Sequence, residues 1–163
     1  MTDHPSVLSE LTRLRQRLPE LSGTVLATTD GLVVAHDAHG LEPEMLAAMS
    51  AAHLGLARRF ADAVDHGALQ ETVVTCAGGY ITTYAAGDGA LMTVVCDRRA
   101  NLARVHLEAR RTLTRLADTL PAALDPPEPP ATPHQPSPTD PPVLARRTPM
   151  ATIPRTMRRR HAG

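Results

Sequence analysis

A carboxylate in a tight loop, two thiols, a scatter of imidazoles, one glycine doublet and a Gly-Asp-Gly run are the groups in this chain that could carry chemistry. The loop lies in TVLATTDGLVVAH, residues 24–36, where Thr29-Asp30-Gly31 could present an acid to a substrate. Its flanks favour a bend. Val25 and Leu26 before it, and Leu32, Val33 and Val34 after it, are strand formers. An Asp-Gly pair between such runs predicts a type I′ hairpin turn, whose two central positions both need positive φ. On that reading the Asp30 carboxylate is structural.

The remaining groups form no catalytic or metal-ligating pattern. Cys76 and Cys96 have no second cysteine at ligand spacing, and at the ends of predicted strands each reads as a small hydrophobe. His36 and His39 fall in a predicted polar loop, and His53 and His106 stand alone on predicted helices without a carboxylate or cysteine at ligand spacing. Gly78-Gly79 and Gly87-Asp88-Gly89 join strand to strand, whereas a phosphate-cradling loop leads from strand to helix. A P-loop also needs a lysine, and the chain has none. Ser22 and Ser50 have no His and Asp in a recognisable triad order. No catalytic residue, cofactor or metal is expected.

The elements that hold these residues divide the chain at Pro121. Residues 121–163 carry twelve of the fifteen prolines, a density that excludes regular helix or sheet, so this stretch is expected to be a disordered linker and tail. Residues 1–120 are expected to form one domain. The formal charge of zero conceals an asymmetry: 11 arginines face 14 acids up to residue 120, while 6 arginines face 3 acids beyond it. Arg146, Arg147, Arg155, Arg158, Arg159 and Arg160 make the C-terminal end a compact cation. Phe60, Tyr80 and Tyr84 are the only aromatics, too few for the stacking platforms of a single-stranded nucleic-acid binder. No run reaches membrane-spanning length and the N-terminus lacks a signal-peptide pattern, so a cytoplasmic protein is expected.

Within 1–120 the periodicity alternates. Leu8, Leu11, Leu14, Leu18 and Leu21 recur at helical spacing and predict a helix over about 6–18. The Asp-Gly hairpin follows. Pro43 opens a long helix ending at Gly67, with Met45, Met49, Ala52, Leu56, Phe60 and Val64 marking one face. LQETVVTCA, YITTYAA and ALMTVVC predict a three-stranded meander, and a last helix over 99–119 buries Leu102, Val105, Ala109, Leu113, Leu116 and Leu120 while turning Arg104, Glu108, Arg111 and Arg115 outward. Strand 90–96 is apolar on successive residues, which implies burial on both faces. The expected fold is an α+β sandwich: a five-stranded antiparallel sheet with helices on both faces, in the order helix-strand-strand-helix-strand-strand-strand-helix.

That order, the TTDGLVVA turn, the small-residue central helix and the run TVVTCAGGYITTYAAGDGALMTVV before a helix together resemble the Roadblock family, the dynein light-chain Roadblock and bacterial MglB-type proteins. The resemblance covers residues 7–120 and implies a profilin-like fold and no catalysis. It implies a homo- or heterodimeric signalling adaptor that serves as a platform for a Ras-like small GTPase and regulates it. Two features fit a homodimer on physical grounds. Ala48, Ala51, Ala52 and Gly55 would let a second helix approach closely, or would pack the helix on its own sheet. Strand 69–76 lies at a sheet edge if the family order holds, and Thr72, Val73 and Val74 carry no Pro, charge or bulge to protect it. Arg58 and Arg59 are candidate partner-facing residues, although they also complement the helix dipole near its C-terminal end.

Two other functions stay open on the sequence. One is a scaffold of the same fold that binds a sensor kinase or a cytoskeletal protein without a GTPase. The other is a membrane-surface binder acting through the arginine-rich tail.

Overall fold

The computed structural model describes residues 5–120 and Leu124; the expected tail lies outside the described residues apart from Leu124. The elements are α1 (Pro5–Arg17), β1 (Leu21–Thr28), β2 (Val33–Asp37), α2 (Pro43–Ala63), β3 (Glu71–Cys76), β4 (Gly79–Ala86), β5 (Ala90–Asp97) and α3 (Leu102–Leu116). The five strands form one antiparallel sheet in the order β2-β1-β5-β4-β3. Helices cover both faces, as the periodicity predicts.

The two faces bury different residues because side chains alternate along a strand. Leu26, Met92, Val94 and Tyr84 join Leu11, Leu14 and Leu18 of α1 and Val105, Ala109 and Leu116 of α3 in one core. Val25, Ala27 and Leu91 point the other way and pack with Ala47 and Leu54 of α2. Two helices therefore cover one face and a single helix covers the other. Successive residues of β1 and β5 are buried because these strands are central and covered twice.

Four local expectations are corrected. The hairpin turn is not type I′: Asp30 does not have positive φ, and among residues 28–33 only Gly31 does, at 90°. Gly31 N–H donates to the Thr28 carbonyl at 3.0 Å and Thr28 N–H to the Leu32 carbonyl at 2.8 Å, the pattern of a three-residue loop closed by a left-handed glycine. The Thr28 hydroxyl donates to the Asp30 carboxylate, so this acid is a turn residue. On α1, Val7 occupies the buried place and Leu8 is exposed. His36 lies in β2, where a polar loop was expected. The fourth correction concerns α3, where Glu108 is buried against α1 and does not face outward.

Helix ends follow from their caps. The Asn101 side chain accepts from the Arg104 N–H at the start of α3. α2 begins at Pro43 as expected but stops at Ala63, short of Gly67, because the chain turns through Asp65 with φ of 53°.

Candidate interaction surface

The central helix presents an apolar face outward. Met49 is 64% exposed, Leu56 53% and Phe60 66%, and Met45 and Val64 are similarly open. These are the residues whose spacing marked one face of α2. The face that packs on the sheet is a different one, built from Ala47, Ser50 and Leu54. An exposed apolar stripe five turns long is uncommon on a monomer, and each half-exposed side chain stands to gain about 1 kcal/mol on burial.

The small residues of α2 do not form one contact face. Ala51 is half-buried against the sheet, whereas Ala48, Ala52 and Gly55 are exposed. Ala48 abuts the β1–β2 turn: a β-carbon built on Gly31 would sit 3.0 Å from its α-carbon. A β-carbon on Gly55 would meet nothing within 4 Å among the described residues, so their packing does not require a glycine there. The alternative of close packing on the helix's own sheet thus holds for Ala51 and not for Ala52 or Gly55.

β3 is an edge strand with an uninterrupted register from Glu71↔Tyr84 to Cys76↔Gly79. No bulge or proline blocks its free side. Val73 is 42% exposed, on the α3 side of the sheet, and Val74 is exposed on the α2 side. Thr72 is half-buried and its hydroxyl lies 3.4 Å from His53 Nδ1 on α2. Cys76 is exposed at the end of the strand, while Cys96 is buried with its thiol pushed up by desolvation.

Long-range polar contacts that sequence spacing did not indicate fix this edge from the other face. The Arg110 guanidinium holds Glu71 Oε2 at 2.8 and 3.2 Å, and His106 Nδ1 lies 3.4 Å from Glu71 Oε1. The same ring nitrogen is 2.8 Å from the Tyr84 hydroxyl. Burial of Tyr84 pushes its hydroxyl up to about 12. The cluster anchors β3 to α3, and among the described residues no strand pairs with the outer edge of β3.

Arg58 and Arg59 separate. Arg58 lines a groove of about 360 Å³ with Asp62, Leu69, Gln70 and Asp88, and Arg59 is exposed. Among the described residues no three His, Cys, Asp or Glu side chains gather as a metal site, and no helix is long and apolar enough to cross a membrane.

The fold is an α+β sandwich with two helices on one face of an antiparallel sheet and a single helix on the other. The chain belongs to the Roadblock/LC7 domain family, whose pattern matches residues 7–96. Its fold is similar to a Roadblock/LC7 domain from Streptomyces avermitilis, with 26% identity, a TM-score of 0.65, and coverage of 69% of this chain and 96% of that one. It is similar to an MglB solved in a tetrameric arrangement, at 23% identity and TM-score 0.67 over 76% of this chain and 96% of that chain. Among curated proteins it is similar to the uncharacterized protein MJ0310 of Methanocaldococcus jannaschii, 31% identical over 97 residues, covering 59% of this chain and 84% of that protein.

Proposed function

We propose that this protein is a non-enzymatic homodimeric adaptor of cytoplasmic signalling that binds a Ras-like small GTPase and modulates its nucleotide state or recruitment. The observation that carries the reading is the apolar stripe Met49–Leu56–Phe60 on α2, joined through His53 and Thr72 to the unprotected edge of β3. Two copies pairing antiparallel along β3 satisfy its free backbone groups and continue the sheet across a two-fold axis. A continuous sheet keeps its faces, so both α2 helices lie on one side and can bury their stripes together. Ala52 and Gly55 then leave room for close approach, with Thr72, Val73 and Val74 at the paired edge. Family membership supports the GTPase as the partner. Arg58 and Arg59, at the end of the same surface, are the residues that would face it.

Native co-purification from the source organism followed by mass spectrometry tests the partner. The expected outcome is a Ras-like GTPase recovered with the protein and lost with Phe60→Asp, and a hydrolysis or exchange rate of that GTPase that changes when the protein is added back. Recovery of only a sensor kinase or a cytoskeletal protein would favour a GTPase-independent scaffold.

A further inference from the structure

On the opposite side of the sheet, α1 and α3 pack together along a seam rich in arginine. Arg13 lies 3.1 Å from Glu10 Oε1 and Arg115 2.5 Å from Glu10 Oε2. Arg17 lies 2.8 Å from Glu108 Oε2 and Arg111 2.9 Å from Glu108 Oε1. Arg104 donates to the Arg17 carbonyl at 2.7 Å. Four guanidinium groups thus share two carboxylates, with Arg104 as a fifth on a backbone carbonyl, and the carboxylates are sunk beneath them: the Glu108 side chain is 11% exposed, against 56% for Arg111. Arginine hydrogen bonds hold both glutamates below the usual carboxylate range, so both are ionised at neutral pH, and the seam is net positive because five arginines outnumber them. Beyond the seam, Arg110 pairs with Glu71 and Arg15 with Asp37 on this side.

Leu107 interrupts the arginines. It lies three residues from Arg104 and four from Arg111, so the three share one helix face, and it is 49% exposed. Guanidinium forks around a half-exposed leucine suit phosphate headgroups above an apolar boundary.

The geometry points to the α1–α3 seam as a docking face for an anionic lipid bilayer. A bilayer fits better than an acidic protein because of what pairing along β3 does to the seam. This step rests on the dimer proposed above. The continuous sheet places the seams of both copies on the same side, facing away from α2, and a plane is the partner that meets both at once. The adaptor surface stays free.

Vesicle sedimentation of the full chain tests this at low salt, with phosphatidylglycerol–phosphatidylcholine vesicles against phosphatidylcholine alone. Each arginine near an anionic surface contributes about five-fold to partitioning, so Arg104→Gln with Arg111→Gln is expected to lower it by about 30-fold with unchanged circular dichroism. Arg17 still neutralises Glu108 in that variant. Arg104→Lys with Arg111→Lys should keep binding within about three-fold, because attraction to a charged surface needs charge more than fork geometry. Replacing the six tail arginines from Arg146 to Arg160 with Gln separates any tail contribution. Partitioning that is unchanged by the Gln pair, or equal on neutral vesicles, overturns the assignment. So does binding to soluble polyglutamate without binding to vesicles, which makes the seam a protein surface. Phe60→Asp separates this inference from the dimer: a monomer should lose the bivalent gain and keep its dependence on Arg104 and Arg111.

Discussion

The hydroxyl of Thr72 on the edge strand lies 3.4 Å from Nδ1 of His53 on the central helix. That contact makes the helix face and the strand edge one surface. It also explains why neither can be assessed alone, since a partner that pairs with β3 necessarily meets the His53 flank of α2, where Phe60 and Val64 follow at helical spacing.

Leu54 and Leu56 are near neighbours in sequence and opposite in environment, 1% and 53% exposed. Leu54→Ala should destabilise the fold by about 2–5 kcal/mol in denaturant titration. Leu56→Ala should change unfolding of the dilute protein by less than about 0.5 kcal/mol and weaken self-association instead. Equal losses of stability from the two would place the stripe in an intramolecular core.

Gly31→Ala should cost about 1–3 kcal/mol, because the glycine has φ of 90° and a β-carbon there would press to 3.0 Å against the Ala48 α-carbon. Asp30→Asn should be far milder, since an amide oxygen can still accept from Thr28. The comparison of thermal midpoints checks whether the turn is structural or reserved for chemistry.

Tyr84 should make the fold sensitive to alkali. Its hydroxyl is raised by burial from 10.0 to about 12, so the unfolded chain ionises first and stability falls as pH rises between those values. Tyr84→Phe should remove this component while leaving His106 without its hydroxyl partner. A wild-type midpoint that stays level from pH 10 to pH 12 would contradict the burial of this group.

Leu124 packs against the core formed by α1, α3 and the sheet, and lines an apolar cavity of about 520 Å³ with Leu113 and Leu120. Cutting the chain after Leu120 should therefore cost about 1 kcal/mol relative to cutting after Leu124, the scale of a half-buried leucine. Differential scanning calorimetry of the two truncations gives the difference directly.

Strand and helix order were legible because periodicity reports which residues share a face, and the double burial of β5 was legible in its unbroken apolar run. Which face of α2 turns inward was not. The stripe from Met45 to Val64 is the more apolar face, yet the sheet accepts Ala47, Ser50 and Leu54, because small residues let the helix sit close over β1 and β5. Periodicity finds an apolar face and does not say whether its partner is in the same chain. The pairing of Glu71 with His106 and Arg110 was equally hidden, since it joins an edge strand to a helix 35 and 39 residues away and no local spacing encodes it. The burial of Glu108 has the same origin, its partner Arg17 being 91 residues distant.

If α2 and β3 form a self-pairing surface, light scattering coupled to size exclusion at micromolar concentration should report a species of twice the 17.4 kDa chain mass, converted by Phe60→Asp or Val73→Pro to a folded chain of single mass. A wild-type protein that elutes at 17.4 kDa under those conditions would contradict it.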